Sequence, residues 1–146
     1  MNTAWQQYLI ERSRGVPIAK YFGMTLSYDE QGHAHIDLPY NPNLDHAWKG
    51  IHGGVMATLL DYAGWCAVAA KKEGILVVTS EFTVHLLYPV KESELHAEGW
   101  VVKSGTRISV AEMRVSASDG ELAAIGTGTY ITMEGVSIWE IGSNAP

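Results

Sequence analysis

Residues 53–72 read GGVMATLLDYAGWCAVAAKK, and this stretch decides the fold. About twenty residues at a helical rise of 1.5 Å span about 30 Å. Apolar side chains run nearly all the way round such a helix, with Thr58 and Asp61 the only strong interruptions. A helix of that kind belongs in an interior, so Gly53 to Lys72 is predicted as one long buried helix. Lys71 and Lys72 stand where the helix dipole favours cations, and Gly74 follows as a stop. Burying it on every side requires a wrapper.

The second half of the chain has the pattern of one. Ile75 to Tyr88 is a strand rich in Val, Thr and Phe that stops at Pro89, and Glu94 to Lys103 alternates. Gly105 turns the chain into a third run, Arg107 to Ala117, and Asp119-Gly120 into a fourth, Leu122 to Thr132. Gly126 and Gly128 lie on one strand face, where they let backbone approach a packed helix. Strands joined by short turns pair antiparallel. Upstream, Met24 to Tyr28 and His33 to Leu38 read as two strands joined by Asp29-Glu30-Gln31-Gly32, and 39–51 reads as loop. Thr3 and Gln6 form a capping-box pattern for a short helix to Arg14, and Pro17 to Phe22 makes a helical turn before Gly23. The expected class is α+β, a long central helix wrapped by an antiparallel β-sheet. It divides into a helical segment 1–22, a main domain 23–133 and a tail 134–146 with no strong period, expected to be partly disordered.

Composition narrows the function. A chain of 146 residues with 47% hydrophobic and 18% charged residues forms one cored domain. Ten basic against sixteen acidic residues leave a net charge of −6, which lacks the basic footprint of a nucleic-acid binder. A single cysteine, Cys66, excludes an intramolecular disulfide and a cysteine-rich zinc site. Neither a signal-peptide pattern nor a run of roughly 18 apolar residues is visible. The expectation is a soluble, cytoplasmic protein without nucleic-acid or membrane partners.

Asp61 is the first chemical candidate, because it interrupts a helix that must be buried. A buried carboxylate is either paired or has a raised pKa. A purely structural role, capping a loop or pairing with a base, is the alternative. His52-Gly53-Gly54 lies at the start of the same helix. First-turn amides have no intrahelical acceptor and point along the positive end of the dipole. Glycine lets a substrate carbonyl approach them, and they can hold an oxyanion.

His-Gly-Gly followed by an apolar helix with an acid nine residues after the histidine resembles the phenylacetate-degradation-type group of hotdog-fold acyl-CoA thioesterases. The similarity continues through Thr79, ten residues before the strand-ending Pro89, and through Gly105-Thr106-Arg107, and covers most of residues 20–132. The family commonly has Asn or Gln six residues before the histidine, where this chain has His46. The resemblance implies hydrolysis of an acyl-CoA to a free acid and CoA. Asp61 would be nucleophile or general base, and the Gly53 amide would polarise the carbonyl. Thr79 would place the acid or the attacking water, and His52 would shape the helix start. His46, Gly54 and Arg107 would contact substrate, with Arg107 on the CoA phosphates or else simply solvated. Trp48 would line an acyl pocket. No cofactor is implied. The alternatives are a non-catalytic acyl-CoA-binding module and a hydratase or dehydratase on the same fold.

Gly53 and Asp61 are eight residues apart, about 12 Å along one helix. One helix therefore cannot easily bring both within hydrogen-bond reach of a single thioester. Two antiparallel helices of a symmetric dimer can, giving two sites per dimer at the subunit interface. The resemblance implies the same homodimer, or a dimer of dimers as a homotetramer. His33 and His35 form a possible metal-ligand pair with no obvious third ligand, so no metal is expected. Cys66 is expected to be a small core residue.

Overall fold

The computed structural model describes residues 3–138. Two short helices, α1 (Thr3–Ser13) and α2 (Pro17–Phe22), precede the strands β1 (Thr25–Tyr28) and β2 (Ala34–Leu38). After a loop containing a 3₁₀ turn, Pro42–Leu44, comes the long helix α3 (Gly53–Ala69). Four strands complete the chain: β3 (Ile75–Leu86), β4 (Leu95–Ser104), β5 (Ile108–Ala117) and β6 (Leu122–Ser137). Thr3 is already helical, so the cap of α1 falls outside the described residues. Among the described residues, no helix is long and apolar enough to cross a membrane.

α3 ends at Ala69, earlier than the predicted Lys72. The amides of Lys71 and Lys72 bond the carbonyls of Val68 and Ala69 in a tighter turn, and Gly74 leaves it at φ 73°. β6 runs on to Ser137 beyond the predicted Thr132, because Ser137 still has a partner in Ile75. The remainder of the predicted tail, 139–146, lies outside the described residues.

The six strands form one antiparallel sheet in the order β1-β2-β4-β5-β6-β3. The strands that follow α3 pair antiparallel as expected, but β3 does not pair with β4. It lies at the far edge beside β6, and β4 pairs with β2 instead. The link after β3 crosses the end of the sheet, where the amides of Leu87 and Tyr88 both bond Ala123 O.

The sheet wraps α3 as expected. Leu59, Leu60, Ala63, Ala67 and Val68 are completely buried against Ile36, Ala97, Met113, Val115 and Tyr130. Each buried leucine contributes about 1.5–3 kcal/mol to that packing. The closest approach is made by Gly99 on β4, where a Cβ would lie 2.5 Å from the backbone of Ala63. Gly64 makes room for the Tyr130 hydroxyl in the same layer. Gly126 and Gly128 do face inward, but a Cβ there would first meet Thr83 O and the Tyr130 ring, not the helix backbone. Gly99→Ala is therefore expected to destabilise the protein by about 1–3 kcal/mol, since neither backbone can yield. A lowered thermal midpoint at fixed protein concentration checks this.

Candidate active site

α3 and β3 run antiparallel side by side, and three contacts fix their register. The Trp65 indole Nε1–H donates to Val77 O at 2.8 Å. One turn earlier, the Thr79 hydroxyl donates to Asp61 Oδ1, also at 2.8 Å. At the far end Leu86 lies over Gly53, its Cδ1 only 2.5 Å from where a Cβ would be. Positions 61 and 65 share a helix face and positions 77 and 79 share a strand face, so the ladder follows from the two periodicities.

Asp61 is half-buried, and the Thr79 hydroxyl is its hydrogen-bond donor. No cation pairs with its carboxylate among the described residues. Burial raises its pKa from the ordinary aspartate value, and the Thr79 hydrogen bond offsets this only in part. The loop-capping alternative is likewise absent, since Thr79 lies within a strand. Oδ2 is left for a proton or a substrate.

Asp61 has a folded pKa above its unfolded value, so protonation favours the fold. That stabilisation is complete below the unfolded pKa and is lost as pH rises through the folded one. At neutral pH the wild-type chain thus carries the cost of a buried charge. Asn at this position keeps an acceptor for Thr79 without the charge. Asp61→Asn is expected to melt at or above the wild-type midpoint at pH 7, with the difference shrinking toward about pH 4. Thermal melts across that range test the sign.

At the other end of α3, His52 is the N-cap residue, and its Nδ1 accepts the Gly54 amide at 2.9 Å. Nδ1 must therefore be unprotonated, which puts the neutral ring's proton on Nε2. The Gly53 amide has no acceptor within the chain among the described residues. The Gly54 and Val55 amides are both consumed, the latter by His52 O at 2.9 Å, and the Gly53 amide is left over. The packing of Leu86 leaves space for no side chain at Gly53 unless Leu86 moves.

His46 closes the preceding loop. Its Nδ1 accepts the Trp48 amide at 3.2 Å and its ring meets the Trp48 indole edge-on, leaving Nε2 as a donor. Trp48 is 82% exposed and lines neither described cavity of this chain. Arg107 sits in the β4–β5 turn, exposed, with Glu134 3.9 Å away. The fold thus joins Asp61 to Thr79 and His52 to Gly54. Among the described residues, no contact brings Arg107 or His46 to Asp61.

Sequence reasoning missed a cavity on the α1 side of α3, lined by Tyr62 and Trp65 but not by Asp61 itself. A cavity of about 480 Å³ lies between α1 and α3, lined in part by Leu9, Val16, Leu26, Tyr62, Trp65 and Leu76. α1 is held over it by the Trp5 indole, which donates to Ala69 O at 2.8 Å. The available signal was Trp65, one turn beyond Asp61 on the same face. Cys66 also borders the cavity, but it is 1% exposed and burial pushes its thiol far up. It is a core residue and no nucleophile.

Comparison with known proteins places this geometry in context. A profile described as the thioesterase superfamily matches residues 49–124, which contain Gly53, Asp61 and Thr79. A Halobacterium salinarum protein named as a candidate esterase is 30% identical over 125 residues, covering 77% of this chain and 82% of that protein. A solved thioesterase family protein from Silicibacter pomeroyi is similar with a TM-score of 0.81 and 26% identity, covering 88% of this chain and 98% of that one. The PaaI protein from the E. coli phenylacetic acid degradation operon has a TM-score of 0.77 at 20% identity, over 90% and 96% of the two chains, a likeness of fold.

Proposed function

The chain belongs to the thioesterase superfamily and has its hotdog fold, and on that premise we propose that this hydrolase cleaves acyl-CoA thioesters at a site shared between two subunits. The observation that carries the proposal is Asp61, a half-buried acid with no cation beside it, steered by Thr79. Such a group is poised to deliver a nucleophile rather than to stabilise the fold. Asp61 either takes a proton from water or attacks the carbonyl itself. In both routes oxygen bonds to the acyl carbon, the C–S bond breaks, and the CoA thiolate leaves and takes up a proton. After direct attack, water then hydrolyses the acyl–Asp61 anhydride, releasing the acid and restoring the carboxylate. The negative charge that develops on the carbonyl oxygen meets the unpaired Gly53 amide at the N-terminus of α3.

The two groups come from different chains. β3 is an edge strand of 12 residues, with Phe82, Leu86 and Leu87 exposed at and just beyond it. Long apolar edges invite pairing. A two-fold axis at that edge sets the partner's α3 antiparallel to this one, so Gly53 of one subunit faces Asp61 of the other, twice per dimer. His46 and Gly54 border the thioester, while Arg107 offers a local cation to the CoA phosphates on an otherwise acidic molecule.

The acyl group occupies the cavity under α1, which is of ordinary ligand-pocket size. A thiol-release screen across acyl-CoA chain lengths, with Asp61→Asn as control, tests the reading. Release from at least one acyl-CoA that disappears in the control supports it; tight binding with no thiol release overturns it. Leu9→Trp, which fills the cavity, is expected to shift preference to shorter acyl groups by tenfold or more. An unchanged chain-length profile would remove the cavity from the site.

A further inference from the structure

His33 and His35, a pair without a third ligand in sequence, acquire further ligands in the fold. Asp29, in the β1–β2 turn, and Glu98, on β4, meet His33 so that one ligand atom from each lies within 4.8 Å of the other two. Glu98 alternates with buried Ala97 and Gly99 on its strand, as His35 does with Ala34 and Ile36. The cluster therefore lies on the face of the sheet turned away from α3 and Asp61.

His33 Nδ1 is 2.9 Å from Glu98 Oε1 and 3.5 Å from Asp29 Oδ2. A tetrahedral ion with bonds of about 2.0–2.1 Å needs donor atoms about 3.3 Å apart. The observed spacings bracket that value. The His33 Nδ1–H donates to Glu98, and Asp29 Oδ2 faces the same nitrogen at the longer distance. Each carboxylate is also braced from behind. The His33 amide donates to Asp29 Oδ1 at 2.9 Å, behind the ligand oxygen Oδ2, which itself lies 3.1 Å from His35 Nε2. Arg114 Nε donates to Glu98 Oε2 at 2.8 Å, leaving Oε1 directed at His33. The bracing extends through His96, which touches His35 at 3.1 Å and Asp37 at 2.7 Å. Outer groups that orient the ligands are the mark of a built metal site.

We propose that Asp29, His33 and Glu98 bind one divalent transition-metal ion of the zinc class, with solvent completing its shell. One imidazole nitrogen with two carboxylates suits zinc, cobalt or manganese better than magnesium or calcium, which favour oxygen-only ligands. On binding, the ion replaces the Nδ1 proton of His33, which passes to solvent. It clips the β1–β2 turn to β4, and so secures the four-residue edge strand β1. Its role is structural and independent of thioester cleavage.

The test uses the full-length protein, freed of metal by a chelator and titrated calorimetrically with zinc chloride. Wild type is expected to take up one saturable equivalent per chain and to gain in melting temperature. His33→Ala and Glu98→Gln are each expected to weaken uptake at least tenfold and to lose the gain, with unchanged thioesterase rates. Asp61→Asn should bind zinc like wild type, so a wrong assignment of the active site leaves this test intact. Cobalt supplies a second readout, visible absorption bands in wild type that are absent from both variants. No saturable uptake, or equal uptake by wild type and both variants through the other exposed histidines, overturns the proposal.

Discussion

Asp61→Asn is expected to reduce kcat by about 10²–10⁴-fold, the usual contribution of a positioned acid or base, while leaving KM close to wild type. The reasoning rests on what the substitution preserves. Asn matches Asp in shape and still accepts the Thr79 hydroxyl proton, so the α3–β3 ladder stays in register. The amide cannot accept a proton from water or attack a carbonyl, so only the chemical step suffers. The wild-type pH profile carries the same signature. Because burial raises the Asp61 pKa, the acid limb of kcat/KM is expected above the ordinary aspartate value of about 4. A steady-state thiol-release assay from pH 4 to 8 measures both. In a single turnover in ¹⁸O-water, unlabelled acid with the label left in Asp61 marks attack by Asp61 itself and opening of the anhydride at the Asp61 carbonyl. Activated water instead gives labelled acid and unlabelled Asp61.

The second large effect is expected from Gly53→Pro, which deletes a backbone amide without asking for a new backbone. Proline is well tolerated at the first helical position. The residue before it must be extended, and His52 already is, at φ −64° and ψ 135°. The ring does meet Leu86, which has to turn aside. His52 keeps its bond to the Gly54 amide. Loss of one oxyanion donor is expected to cost about 10²–10³-fold in kcat. Gly53→Ala, which keeps the amide but also displaces Leu86, separates the two causes: its activity should stay well above that of the proline variant.

Much of this was legible before any coordinates. Uniform apolarity around residues 53–69 required a wrapper, and the alternating runs after residue 75 had the composition to provide it. Asp61 stood out because charge in such a helix has a cost that needs a reason. What could not be read was which strands meet. Every run from β3 onward reads simply as a strand, so nothing local says that β3 joins β6 and β4 joins β2. The glycines were misassigned for a related reason. Gly99 is no more conspicuous in sequence than Gly126, and only the packing of β4 on Ala63 gives it its role. The metal-ligand cluster was half visible as His33 and His35. Glu98 is 65 residues away, and the β2–β4 pairing brings it opposite His35 and beside His33.

The most direct test of a site built from two chains is a mixed dimer. Subunits carrying Asp61→Asn are combined with subunits carrying Gly53→Pro, and the doubly tagged heterodimer is purified and assayed for thiol release. If Gly53 of one subunit serves Asp61 of the other, one of the two sites escapes both substitutions. The heterodimer should then recover about half the wild-type rate, although each parent homodimer is nearly inactive. If both groups act within one chain, each site retains one lesion. A heterodimer as inactive as its parents would contradict the shared site.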